Sequence, residues 1–339
     1  MNYALIDTAN TFFRARHVAA RGSTLDEQLG MALHLTLASV NQVVRNHKID
    51  HVVFCLEGRS WRKDYYKPYK ANRKLDESAM TDAEIEGNKM FWETYEMFTN
   101  YLRDKTNTSV LREPNAEADD LIARFIHLHP NDSHYIISSD TDYIQLIAEN
   151  VFQYNGVSNE LIRLDGYFKD NGKPVLDKKT KEHKLLEDPQ YLLFKKIIRG
   201  DGTDNVFSAY PGVREKGSKN TVGILEAFQD RNSQGFKWNN FMLQRWVDHN
   251  DEEHRVRDDY ERNRTLIDLT AQPQDVKDKV DNAIRTGVRT TTTPQVGVHF
   301  MKFCGKYELN KISENAEAYA KWLNTCLLYT SPSPRDQRG

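Results

Sequence analysis

The sequence predicts an α/β fold: a mostly parallel central sheet with helices on both faces, continuing into a mainly helical C-terminal region. Short apolar runs at 3–6, 51–56, 134–138 and 151–154 alternate with longer segments of helical period. Such alternation builds a parallel sheet covered on both sides. Acidic residues close three of those runs, at the strand ends where sites in such sheets form.

Taken in order, residues 3–6 form a buried strand closed by Asp7. Residues 23–48 read as a helix, with Leu25, Leu29, Leu33, Leu37, Val40 and Val44 on one face and Ser23 with Asp26 as a capping box. Strand 51–56 ends at Glu57. A basic segment over 58–80 precedes an aromatic-rich helix at 81–105. A helix over 115–128 leads into strand 134–138; a further helix follows Asp140, then a strand at 151–154. The polar stretch 161–187, with Asn171-Gly172, reads as a hairpin-like surface excursion. Asp188-Pro189 caps a helix that ends at Arg199, with Gly200 as its stop. From Asp201 onward the pattern is helical, with one strand signal at 266–269 and no internal repeat.

The 339 residues suffice for one large α/β domain or two smaller ones. Hydrophobic content of 39% and charged content of 28% are those of a soluble globular protein. No apolar stretch approaches the roughly 20 residues that span a bilayer, and the N-terminus carries no signal-peptide pattern. A cytoplasmic protein without a membrane partner is expected, in the host cell if the chain is phage-encoded. The three cysteines, Cys55, Cys304 and Cys326, lack metal or disulfide spacing, in keeping with a reducing compartment. The net charge of −2 leaves nucleic acid open as a partner, because acidic metal ligands can cancel a basic surface. Residues 326–339 resemble a translated sequencing adapter, which implies that the natural C-terminus is missing.

The acids carry the chemistry. Asp7, Glu57, the pair Asp140 and Asp142, and the pair Asp201 and Asp204 each follow an apolar run; Glu117, Asp119 and Asp120 stand at a helix start. Singly, each fits a cap or turn. Gathered without cations they would repel strongly, and carboxylate oxygens are the ligands Mg²⁺ and Mn²⁺ prefer. Together they point to a divalent-metal site for phosphodiester chemistry. Residues 59–74 hold seven cations against the single acid Asp64, interleaved with Trp61, Tyr65, Tyr66 and Tyr69. That composition suits a single-strand nucleic-acid track. Its members are Arg59, Trp61, Arg62, Lys63, Lys67, Tyr69, Lys70, Arg73 and Lys74. Arg214, Lys216 and Lys219 form a second basic stretch ahead of a helix expected at 220–228.

Leu5-Ile-Asp7-Thr, Phe54-Cys-Leu-Glu57, Trp61-Arg-Lys, Tyr69-Lys-Ala-Asn-Arg73, Glu117-Ala-Asp-Asp120, Ile136-Ile-Ser-Ser-Asp140-Thr-Asp142 and Gly200-Asp-Gly-Thr-Asp204-Asn follow one another in consistent order. This series resembles the flap endonuclease family, above all the bacteriophage 5′ nucleases that include the phage enzyme called RNase H. The resemblance covers about residues 3–230. It implies a two-metal Mg²⁺ site in which Mn²⁺ can substitute, one metal drawing on Asp7, Glu57, Glu117, Asp119 or Asp120, and Asp140. The second metal would draw on Asp140, Asp142, Asp201 and Asp204. It further implies a helical arch over 58–110 that admits a free 5′ strand, Lys70 and Arg73 as catalytic cations beside Asp140, and a helix–turn–helix duplex-binding element around 211–228. The implied layout is a nuclease domain over 1–204 and a DNA-binding region over 205–325.

The implied substrate is a DNA or RNA–DNA duplex with a 5′ single-stranded end or flap, processed during phage-type replication. No motif identifies a single-strand-binding protein or sliding clamp as a partner. Two departures stand out. Glu57 occupies a place where the family has Asp, and Arg214-Glu-Lys-Gly217 replaces a glycine–hydrophobic–glycine turn. A catalytically silent flap-binding protein of the same fold is the alternative, and other two-metal nucleases (PIN-type, Toprim-type) lack a need for the basic segment and the 200–205 motif.

Overall fold

The computed structural model describes residues 1–14, 18, 23–73 and 80–325. Lys74 and the tail 326–339 lie outside the described residues.

Strands β1 (Asn2–Asp7), β2 (His51–Cys55), β3 (Ser109–Leu111), β4 (Ser133–Ile137) and β5 (Val151–Asn155) are parallel. β6 (Glu160–Arg163) and β7 (Gly166–Lys169) extend the sheet antiparallel, giving the order β3-β2-β1-β4-β5-β6-β7. β1 therefore lies between β2 and β4, with Ile6 opposite Phe54 on one side and Ile137 on the other. The strands are apolar on both sides because helices cover both faces. One face packs α1 (Thr8–Phe13), α2 (Leu25–His47) and α4 (Asp82–Lys105) through Phe12, Leu33, Leu37, Phe91, Tyr95 and Phe98; the short α3 (Arg62–Tyr65) comes between the last two in sequence. The other packs α5 (Ala118–Leu128) through Leu121, Ile122 and Phe125.

The elements differ from expectation at several ends, each for a local reason. α2 starts at Leu25 rather than at 23 and its cap moves by one residue, because Thr24, not Ser23, accepts from the N3 amide while Glu27 reaches back to the Thr24 amide. α5 starts at Ala118 rather than at 115, because carbonyls of 114–116 accept from the amides of Gly58, Arg59 and Trp61. A Cβ at Gly58 would lie 2.2 Å from the Glu113 carbonyl oxygen, so only glycine permits that approach. After Asp140 the chain forms a short 3₁₀ helix, Thr141–Leu146. The excursion over 161–187 adds β6 and β7 to the sheet, and Asn171-Gly172 makes its turn with φ +75° at Gly172.

Helix α6 (Pro189–Arg199) is capped by Asp188 and stopped at Gly200, as the sequence predicts. The next segments are α7 (Ile224–Gln229), α8 (Phe236–Met242), the hairpin β8 (Arg245–Val247) and β9 (Glu253–Arg255), and α9 (Val256–Ile267). The sequence pattern gives no sign of the hairpin, and 266–269 is the end of α9 and a turn rather than a strand. Helices α6 to α9 surround their own core of Tyr191, Phe194, Phe228, Trp238 and Phe241. The remaining chain returns to the sheet: α10 (Gln274–Gly287) packs Val276, Val280 and Ile284 beside α5. α11 (Val296–Lys306), α12 (Asn310–Ser313) and α13 (Ala316–Leu323) follow, packing Phe300, Phe303 and Trp322 beside α2 and α4. Among the described residues no helix is long and apolar enough to cross a membrane.

Candidate metal centre

Adjacent parallel strands β2, β1 and β4 deliver Glu57, Asp7 and Asp140 side by side at one sheet edge. Asp7 is 5% exposed and caps α1, accepting from the Asn10 amide at 3.1 Å. Its other oxygen accepts from Ser138 Oγ at 3.0 Å and from the Tyr143 hydroxyl at 3.1 Å. Burial, with the charge of Asp140, pushes its carboxyl up to about 6. Glu57 is pushed up to about 8 by burial and by the charges of Asp7 and Glu117. Asp119 is raised as well, by burial and by Asp120 and Glu117 against the pull of Arg62. Three carboxyls held up in one place mark a centre short of positive charge.

The cations present are already divided among the acids. Lys70 Nζ pairs with Glu117 and lies 3.4 Å from Asp204 Oδ2, while Arg73 reaches Asp204 at 3.1 Å. Burial works against both Glu117 and Lys70 being charged. Lys70 and Arg62 nonetheless hold the Glu117 carboxyl down to about 2, and Glu117 with Asp204 raises Lys70. The Lys70 backbone has φ +53°, a conformation unfavourable for a side chain with a Cβ, and its amide donates to the Asp204 carbonyl at 2.9 Å. Lys196, on α6, pairs with Asp142 and lies 2.8 Å from Asp201 Oδ2. These acids push it up to about 12 against its burial. The crevice between them is lined by Tyr69, Asp119, Asp142, Asp201 and Asp204, with a floor of Val206, Leu266 and Leu269. The Gly200–Asn205 turn is thereby brought to the strand-end acids.

Asp120 stands apart. It is fully buried, and one oxygen accepts from Arg62 Nη2 at 2.9 Å and Gln272 Nε2 at 2.8 Å. The other accepts from Arg62 Nη1 at 3.0 Å, Trp61 Nε1 at 3.1 Å and the Glu117 amide at 3.1 Å. These five contacts fix the Asp120 carboxylate, and one of its oxygens lies within 4.8 Å of carboxylate oxygens of Glu117 and Asp119, a group that could hold a metal ion. The same contacts correct the reading of Trp61, Arg62 and Tyr69 as a surface track. Arg62 is 1% exposed, Trp61 is buried on Asp120, and the buried Tyr69 hydroxyl lies 3.0 Å from both Glu117 Oε2 and Asp204 Oδ2, with one proton shared between them. Arg59, Lys63, Lys67 and Arg73 are exposed, as are Arg214, Lys216 and Lys219. The expected helix at 220–228 begins at Ile224, because Glu226 accepts from the Gly217 and Gly223 amides at 2.9 Å and folds 217–223 into a turn. Lys196, Ser138 and Tyr143 were missed in the sequence, where nothing local aims them at these acids.

Residues 2–172 match the model of the 5′–3′ exonuclease N-terminal resolvase-like domain, and the chain belongs to that family. A 5′–3′ exonuclease of Mycoplasmopsis pulmonis is 27% identical over 201 residues, 58% of this chain and 59% of that protein. A DNA polymerase I of Rhizobium leguminosarum is 27% identical over 53% of this chain and 15% of its own length. The chain thus spans less than two thirds of these relatives. In fold it is similar to the solved T5 5′-exonuclease with bound zinc ions, with TM-score 0.57, 18% identity, and coverage of 84% of this chain and 99% of that one. It is similarly close to a bacteriophage T5 flap endonuclease complex with DNA and metal ions, with TM-score 0.53 and 17% identity over 85% of this chain and 99% of that one.

Proposed function

We propose that this chain is a Mg²⁺-dependent 5′–3′ exonuclease and flap endonuclease. It hydrolyses phosphodiester bonds in DNA or RNA–DNA duplexes that carry a 5′ single-stranded end or flap, removing primers or flaps in phage-type replication. The observation that carries this reading is the gathering of Asp7, Glu57, Glu117, Asp119, Asp142, Asp201 and Asp204 around two lysines that bridge acid pairs as a metal would. The donor set is all carboxylate oxygen, which fits Mg²⁺ or Mn²⁺. Asp7, Glu57, Glu117, Asp119 and Asp140 would hold one ion and Asp140, Asp142, Asp201 and Asp204 the other. Bound divalent ions supply a water acidified toward neutral pH and positive charge for the phosphoryl oxygens.

The chain's own residues do the rest. Lys70 and Arg73 offer charge at the rim of the centre, where a phosphate oxygen gains negative charge during hydrolysis. Tyr69 fixes Glu117 relative to Asp204, and the Arg62–Asp120 pair fixes the start of α5. Exposed Arg59, Lys63 and Lys67 would guide the 5′ strand, and Arg214, Lys216 and Lys219 the duplex. On this reading residues 1–204 carry the chemistry and the cluster of α6 to α9 carries the duplex contacts.

The test is incubation of a 5′-labelled flap duplex with Mg²⁺, beside Asp140→Asn and a chelator control. Short 5′ products that disappear in both controls support the reading. Flap binding without cleavage in Mg²⁺ or Mn²⁺ points to a silent binder and makes Glu57→Asp the next variant.

A further inference from the structure

The β8–β9 hairpin holds a second group of metal-ligating side chains, on a different core from the acid centre. Asp248, Glu252 and His254 each offer a ligand atom, and those atoms lie within 4.8 Å of one another. The imidazole is what separates this group from an ordinary acidic turn. Its Nδ1 lies 3.1 Å from Oδ2 of Asp259, a carboxylate only 5% exposed. With Asp259 accepting the Nδ1 proton, the Nε2 lone pair is left free. Nε2 is buried and has no hydrogen-bond partner, and it faces Asp248 Oδ2 at 3.8 Å. A cation between the two, whether a proton on Nε2 or a metal ion, would make that arrangement favourable; Asp248 Oδ2 also accepts from Asn250 Nδ2 at 3.2 Å. A carboxylate behind a histidine is the arrangement that sets the tautomer and orientation of metal-bound imidazoles. His249 stands beside them, its Nδ1 4.0 Å from Asp248 Oδ2 and its ring exposed.

We propose that the hairpin binds a transition-metal dication of the zinc class through His254 Nε2, Asp248 and Glu252, with His249 able to complete the set. A mixed imidazole and carboxylate set suits Zn²⁺, Co²⁺ or Ni²⁺ rather than Mg²⁺. The ion would be structural. Asp248 already orders the loop by accepting from the amides of Asn250 and Glu252 at 2.9 Å. Trp246 stacks on the His254 ring at 4.3 Å and 13°, and its indole donates to the Ala209 carbonyl at 3.0 Å. Fixing His254 therefore fixes the chain just beyond the Asp201–Asp204 turn.

The experiment uses the whole chain, stripped with a chelator and titrated with Zn²⁺ in excess Mg²⁺, against a chromogenic competitor. The wild type is expected to bind one zinc ion more than His254→Gln. Glu252→Gln, at an exposed side chain, and Asp259→Asn are each expected to weaken that ion about tenfold or more. Cu²⁺ or Ni²⁺ should quench Trp246 fluorescence in the wild type, and the quenching should be absent in Trp246→Phe. Thermal melts confirm that each variant is folded. Zinc binding of equal number and affinity in the wild type, His254→Gln and Glu252→Gln overturns the proposal, whatever the nuclease assays show.

Discussion

A carboxyl held up to about 8 carries its proton at neutral pH, and Glu57 is such a carboxyl in the metal-free protein. Folded, it binds a proton over a range, from its ordinary 4.5 to about 8, in which the unfolded chain has released it. Its contribution to stability is complete below 4.5 and is lost as pH rises through about 8. Glu57→Gln is therefore expected to flatten the fall in melting temperature between those limits in chelator, relative to the wild type. Parallel curves would place the charge strain elsewhere. Acids that close an apolar run were legible one residue at a time, which is how Asp7, Glu57 and Asp140 were found. Lys196 was not, because its proximity to Asp142 spans 54 residues of sequence and leaves no local trace.

The segment from 58 to 73 shows what composition conceals at the scale of an element. A run rich in cations and aromatics reads as a solvated track, yet it divides between outward Arg59, Lys63 and Lys67 and inward Trp61, Arg62 and Tyr69. The inward set is decided by carboxylates about half a hundred residues away, Glu117 and Asp120. Replacing Arg62 with Met leaves two buried acids facing each other. The expected loss is about 3–5 kcal/mol in a denaturant titration. Arg62→Lys is expected to recover little of it, since a single ammonium cannot reproduce the two-pronged contact with Asp120. Near-wild-type stability in Arg62→Met would contradict this division of the segment. By contrast α4 was legible from its aromatic-rich run over 81–105, and the structure adds a Thr81 cap that accepts from the Glu84 amide.

Across the whole molecule, alternating apolar runs were enough to predict four of the five parallel strands, because buried parallel strands are apolar on both sides, while the three-residue β3 was too short to show a run. Which surface of that sheet α10, α11 and α13 meet on their return was not legible. A helical period shows which side of a helix is apolar and not which surface it meets. The arrangement leaves the α6 to α9 cluster as a separate body of packing that presents Arg214, Lys216 and Lys219 to solvent. If these cations meet duplex phosphates, the double variant Lys216→Ala with Lys219→Ala weakens binding alike for all sequences. The slope of log affinity against log salt should then fall by about one for each phosphate that is no longer neutralised. An unchanged slope would remove this stretch from the interface.

The central claim, that the strand-end carboxylates cleave at 5′ ends, is tested most directly by polarity. Single-turnover rates in Mg²⁺ would be compared for a 5′-flap duplex and for a 3′-flap duplex of the same sequence, with wild type and Asp142→Asn. Rapid cleavage of the 5′ flap alone is expected, with a drop of about a hundredfold or more in the variant. Equal rates on the two substrates, or 5′-flap cleavage that survives both the variant and chelator, would contradict the claim.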